Sequence, residues 1–192
     1  INIIKLLKEN NPELKIVLGG THPSALPKET LLETNADFIC TGEGYDALVN
    51  LINAIKNNST QLDIPNIWYK DKTNNIISNK NTALKNNLDE LPFIAWDLLP
   101  MDKYRAHNWH CFDEKYNRRS PYAVIFSSLG CPYNCSYCSV NTVYGKRKYR
   151  VRSPENFVSE IELIYTKYGI KNIEVADDTF TISLERVEHI CD

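Results

Sequence analysis

Three cysteines stand close together in Gly130-Cys131-Pro132-Tyr133-Asn134-Cys135-Ser136-Tyr137-Cys138. The spacing is Cys-x3-Cys-x2-Cys on one short loop. Three thiolates so placed can converge on one face of an iron–sulfur cubane, whose usual ligand set is four Cys. No fourth Cys lies near, so one iron would stay open. An open iron can bind and activate a small molecule rather than only pass electrons. Gly130 and Pro132 suit a tight approach of backbone to cluster. The residues leave other readings open. Structural zinc takes four ligands, commonly from two Cys-x2–4-Cys pairs. His107, His110 and Cys111, some 20 residues upstream, would have to complete such a set. A pure electron-transfer cluster of the bacterial type has a different spacing, Cys-x2-Cys-x2-Cys-x3-Cys-Pro. Three unrelated buried thiols are the remaining alternative.

The elements around the loop read as an α/β unit. Residues 122–127 are an apolar, β-branched strand that delivers the loop. Ser153-Pro154-Glu155 opens a helix, with Ser153 as N-cap, Pro154 in its first turn and Glu155 at the positive end of the dipole. Phe157, Ile161, Ile164 and Tyr168 share one face of it, and Gly169 is its stop. Residues 171–176 are the next strand. Asp177 and Asp178 follow at its carboxyl end, where α/β sheets and barrels place chemistry. On residues alone the Asp pair also fits a helix-capping turn. A last helix follows Ser183.

The first part of the chain alternates helix and strand. Residues 1–9 form a short amphipathic helix. Residues 15–18 form a buried-type strand stopped by Gly19-Gly20. A helix starts at Pro27, and residues 36–40 form a second strand. Thr41-Gly42-Glu43-Gly44 leads into a helix over 45–56, with Leu48, Leu51, Ile52 and Ile55 on one face. This order implies a parallel sheet covered by helices. A doubly wound domain has about five or six strands, so two strands read as half of one. Between the parts, residues 67–70 and 75–78 flank a turn and predict a hairpin. Residues 91–100 are apolar and punctuated by Pro. They should pack as an irregular connector, being too apolar for a flexible linker.

Composition narrows the class. The 192 residues carry a net charge of −2, with 43% hydrophobic and 24% charged. That balance argues against an electrostatically driven binder of nucleic acid or membranes. No apolar run approaches the ~20 residues of a membrane span. The six Cys do not form a secreted disulfide framework, since three are clustered and the rest scattered. A reducing, cytoplasmic setting is expected. The chain begins at Ile1 and has its one Met at Met101. It reads as an internal piece of a longer protein.

Cys131, Cys135 and Cys138, with the aromatic Tyr137 before the third, resemble the signature of the radical S-adenosylmethionine (SAM) superfamily. The resemblance covers residues 120–192. It implies a 4Fe–4S cluster on the three Cys, with SAM chelated by the open iron. An external one-electron donor such as flavodoxin or ferredoxin would drive SAM cleavage to a 5′-deoxyadenosyl radical. The backbone at Tyr137 would resemble the adenine contact. Asp177 and Asp178 occupy the region that meets the SAM amino group, with Asp-Asp in place of the more familiar Gly-Gly-Glu. Residues 146–152 are basic and read as a solvated stretch, the alternative being neutralisation of an anionic substrate or the SAM carboxylate.

Gly19-Gly20-Thr21-His22-Pro23, Pro27 and Cys40-Thr41-Gly42-Glu43-Gly44 together resemble the C-terminal half of the cobalamin-binding domain fused to many radical SAM enzymes. There the turns border the nucleotide tail of the corrin. Gly19, Gly20, Gly42, Glu43 and Gly44 are the implied contacts, with Glu43 either a polar contact or a cap. The family's Asp-x-His-x-x-Gly motif is absent, and His22 reads as a loop histidine.

The expected architecture is therefore α/β. Residues 1–57 are the C-terminal part of a doubly wound, flavodoxin-like cobalamin-binding domain. Residues 58–119 are a connector with a hairpin. Residues 120–192 are the first βα units of a partial TIM-type (β/α)6 radical SAM barrel, truncated like the domain before it. The implied activity is methyl transfer to an unreactive carbon or phosphorus centre. The alternatives are a non-methylating radical SAM oxidoreductase or cyclase, and a non-catalytic cobalamin- or cluster-binding module. A chain with only two barrel strands is expected to be inactive alone. Its substrate is unknown.

Overall fold

The structure, a computed structural model, describes residues 2–59, 62–106, 119–145 and 147–192. They fall into two compact units. The first comprises residues 1–84 and 133–146, the second residues 85–132 and 147–192. Among the described residues no helix is long and apolar enough to cross a membrane.

The first unit is a four-stranded sheet in the order β1-β2-β3-β4 with helices around it. Helix α1 (Asn2–Asn10) leads to β1 (Val17–Leu18), α2 (Thr21–Ala25), α3 (Pro27–Glu33) and β2 (Phe38–Cys40). Strands β1 and β2 are parallel, with Val17 opposite Phe38. Helix α4 (Tyr45–Lys56) follows, then the hairpin β3 (Ile67–Lys70) and β4 (Ile76–Ser78). The sequence set this hairpin in the connector. The backbone instead pairs β3 antiparallel with β2, Ile39 opposite Trp68, so the hairpin extends the first sheet. Asp71 builds its turn by accepting from the N–H groups of Thr73 and Asn75, both at 2.8 Å.

The core of this unit joins Phe38, Cys40, Ala47, Leu51, Ile64 and Ile67. Helix α4 thus buries Ala47 and Leu51, while Leu48 and Ile52 lie exposed. That departs from the sequence face, because α4 is apolar on more than one side and periodicity alone does not rank the sides. Helix α2, within the expected turn after Gly20, was not foreseen.

The second unit centres on a parallel pair, β5 (Tyr122–Ile125) with β8 (Asn172–Val175). A short antiparallel pair, β6 (Ser128–Gly130) with β7 (Tyr149–Val151), lies after β5. Helix α5 (Val140–Tyr144) belongs to the first unit, whereas α6 (Pro154–Tyr168) and α7 (Leu184–Cys191) belong to the second. Helix α6 has the foreseen ends. The Ser153 side chain accepts from the Asn156 N–H, and Gly169 is left-handed at φ 65°.

Phe157 and Ile164 are fully buried with Trp96, Ala123, Ile125 and Ile170. Trp96 comes from the Pro-punctuated stretch, which holds the short 3₁₀ turn Trp96–Leu98 and is flanked by two more, Leu88–Glu90 and Met101–Lys103. Glu160 is buried on the same helix. Its carboxylate accepts from the Ile94 N–H and the Trp96 Nε1–H, both at 3.0 Å, and pairs with Arg152 at 2.5 Å. Both oxygens of this buried carboxylate are thus engaged, one of them by an opposite charge.

Candidate functional site

The carboxyl end of β5 carries two buried serines. Ser127 and Ser128 are 0% and 1% exposed, and buried hydroxyls need partners. Asp177, just after β8, supplies them. Its Oδ1 accepts from the N–H groups of Ser127 and Ser128 at 2.7 and 3.0 Å. Its Oδ2 accepts from their two hydroxyls at 2.5 and 2.6 Å. A carboxylate has about four lone-pair positions, so Asp177 is saturated within the protein. Arg186 of α7 adds to the same turn. Its guanidinium donates to the Ser127 carbonyl at 3.0 Å and to the Ser127 hydroxyl at 3.2 Å.

Asp178 behaves differently. It is exposed, and the Gly130 N–H donates to it. Partial desolvation first, and then the charge of Asp177, push its carboxyl above the usual carboxylate range, while the Gly130 bond pulls the other way. The two acids, which the sequence places in the same region, thus differ in their surroundings. Asp177 is bound up in the strand end. Asp178 remains accessible beside the start of the cysteine loop.

The loop leaves β6 at Gly130, which has φ 82°, a region glycine adopts without a Cβ clash. Cys131 is half-buried, Cys135 exposed and Cys138 half-buried, all as free thiols. Cys131 belongs to the second unit, Cys135 and Cys138 to the first. The Cys138 N–H donates to the Cys135 carbonyl at 3.2 Å. Tyr137 is 90% exposed. Among the described residues no three His, Cys, Asp or Glu side chains are gathered as a metal-ligand set. What fits a cluster is the donor chemistry: three accessible soft thiols on one loop, free of disulfides. His107, His110 and Cys111, the zinc alternative, lie outside the described residues, as does Lys146.

The basic segment is only in part the solvated stretch expected. Arg150, in β7, is buried and donates to the Lys85 carbonyl at 2.7 Å. Arg152 pairs with Glu160 and also donates to the Asn156 side chain at 2.7 Å. These two arginines are spent on packing. Arg147 and Lys148 are exposed.

The glycine turns of the first unit sort by what surrounds them. Gly20 has φ 99°, and a Cβ there would meet nothing within 4 Å. Its space is open. A Cβ on Gly19 would come to 3.6 Å from the Cys40 carbonyl oxygen, an ordinary contact. Gly42 has φ 65°, a Cβ on it would come to 3.6 Å from the Val143 carbonyl oxygen of α5, and its N–H donates to Ser24 Oγ at 3.0 Å. Its N–H is therefore not on offer. A Cβ on Gly44 would press Leu48 Cδ1 at 3.1 Å and meet Cys40 Sγ at 3.5 Å, so that glycine lets α4 close on β2. The Glu43 carbonyl accepts from the Asn66 side chain at 3.3 Å. Asn66 is buried at φ 66° and ties this turn to β3. Burial pushes the Cys40 thiol up. His22 lies exposed in α2.

Sequence reasoning missed Ser127, Ser128, Arg186, Glu160 and Asn66. Two serines directly after an apolar strand were the one available signal.

Comparisons with known proteins bear on both units. Residues 1–52 match the family model of the B12 binding domain. Residues 125–191 match that of the Radical SAM superfamily. An uncharacterized methyltransferase of Pyrococcus horikoshii is 34% identical over 185 residues, covering 96% of this chain and 38% of that protein. The anaerobic magnesium-protoporphyrin IX monomethyl ester cyclase of Rubrivivax gelatinosus is 27% identical, covering 98% of this chain and 33% of its own. The radical S-adenosylmethionine methyltransferase TsrM of Kitasatospora setae, solved with cobalamin and a [4Fe–4S] cluster bound, superposes with a TM-score of 0.66 at 20% identity. That match covers 98% of this chain and 35% of that one. The α/β fold is thus shared with such an enzyme. The chain spans between a third and two fifths of the length of these relatives.

Proposed function

The chain belongs to the cobalamin-binding-domain-containing proteins of the radical SAM superfamily, and from that premise we propose that it serves a methyltransferase of this kind. The observation that carries the reading is the Cys131-x3-Cys135-x2-Cys138 loop, leaving a braced strand end inside the segment that matches the superfamily. Cys131, Cys135 and Cys138 would hold a 4Fe–4S cluster. When bound, the cluster and SAM supply one-electron cleavage of the sulfonium, with the electron from an external donor such as flavodoxin or ferredoxin. Asp178 stands accessible at the loop's start and is the acid suited to accept from the SAM amino group. The exposed backbone at Tyr137 is suited to the adenine. Gly19 and Gly20 offer the open backbone for the nucleotide tail of a cobalamin. Gly42, Glu43 and Gly44 shape the neighbouring turn more than they face a ligand.

The methyl acceptor would be an unreactive carbon or phosphorus centre. A non-methylating cyclase or oxidoreductase is the second reading, favoured by the likeness to the Rubrivivax gelatinosus cyclase. The test uses the complete polypeptide, reconstituted without oxygen and supplied with SAM and a reductant. Wild type should release 5′-deoxyadenosine or methylate an acceptor, and Cys135→Ala should lose that turnover by ~100-fold or more, as for an essential group. An undiminished Cys135→Ala variant sinks the reading. Growth with cobalamin tests the reading of the first unit. Wild type should co-purify with corrin absorbance, and Gly20→Val should lose it.

A further inference from the structure

We propose that Asp177 is a positioning residue that fixes the departure point of the cysteine loop, rather than a contact to a small molecule. The inference rests on the reading of that loop as cluster-holding. Its four bonds go to two consecutive residues, Ser127 and Ser128, and use both N–H groups and both hydroxyls. Withdrawing the carboxylate would strand four donors on two buried residues, which is far costlier than losing a surface contact. Ser128 is held from its other side as well, since β6 pairs with β7 through Ser128–Val151 and Gly130–Tyr149. Arg186 closes the arrangement by donating to Ser127 and to the Arg152 carbonyl. Cys131 leaves this fixed strand one residue after Gly130. A first ligand set in place reduces the ordering cost of closing the other two around a cluster. Residues that orient ligands without touching the metal commonly change its affinity by ~10–100-fold when removed.

The test compares Asp177→Ala with Asp177→Asn in the complete polypeptide. Asparagine keeps an oxygen for the two N–H groups, and its amide can donate to the serine hydroxyls once they rotate. Alanine keeps neither. In the iron-free protein, amide hydrogen exchange at Ser127 and Ser128 should quicken in the alanine variant and stay near wild type in the asparagine variant. On anaerobic titration with iron and sulfide, the alanine variant should bind iron ~10-fold more weakly or worse. Its reduced cluster should give an altered electron paramagnetic resonance signal before any SAM is added. The asparagine variant should recover both. Wild-type iron binding and an unaltered signal in Asp177→Ala, with only SAM affinity lost, would overturn the proposal. So would equal losses in the two variants. If Asp177→Ala does not fold, Ser128→Ala takes its place. A smaller loss of iron affinity supports the clamp, and no loss refutes it. Cys131→Ala separates the layers. If it keeps its iron, the cluster reading fails. If it loses iron while Asp177→Ala does not, only the positioning role fails.

Discussion

Two strand ends of this molecule face the same task with different materials. After β1 and β2, the first unit places Gly19, Gly20, Gly42 and Gly44, and its turns are shaped by what a missing Cβ permits. After β5 and β8, the second unit places Ser127, Ser128, Asp177 and Asp178, and its turn is shaped by side-chain charge. The glycine end offers bare backbone and open space, most of all at Gly20. The serine–aspartate end offers a rigid base from which a loop of thiols departs. Bracing reaches deeper there, to the pair between Arg152, just before α6, and Glu160 in the middle of that helix.

That contrast breaks most easily at Glu160. Glu160→Ala leaves Arg152 charged and largely buried without its partner, and should cost about 3–5 kcal/mol of stability by denaturant unfolding. A cost below about 1 kcal/mol, the range of a surface pair, would show that the second unit is not braced by charge. Gly20→Ala tests the other end. Its φ of 99° lies in a glycine region, so alanine should cost about 1–3 kcal/mol through backbone strain, with no steric clash to add. Equal stability would mean that the turn adapts to a Cβ. Smallest is Ser153→Ala. Removing this N-cap should cost about 1 kcal/mol, seen as a modest fall in melting temperature, and it marks the scale of a local effect against the charged network.

What the sequence made legible was local. The ends of α6 are written in Ser153, Pro154 and Gly169, and the β3–β4 turn in Asp71 and its neighbours. The thiol loop was readable because three Cys in eight residues have few other uses. Non-local choices were not readable. Strands β6 and β7 are three residues each and pair across some twenty residues, too short to leave a period. The docking of β3 on β2 is decided by tertiary pairing. Of two adjacent acids, nothing local says that Asp177 turns in and Asp178 stays out. Arg150 and Arg152 looked like a solvated basic run because burial of a charge depends on partners such as Glu160 that lie elsewhere in the chain.

The central claim is that Cys131, Cys135 and Cys138 hold an iron–sulfur cluster with one open iron. Its most direct measurement is the iron and sulfide content of the complete polypeptide, reconstituted without oxygen, for wild type and for Cys135→Ala. The account predicts about four irons and four sulfides per wild-type chain, and a collapse of both in the variant. One zinc per chain, or a variant that keeps its full iron and sulfide, would contradict it.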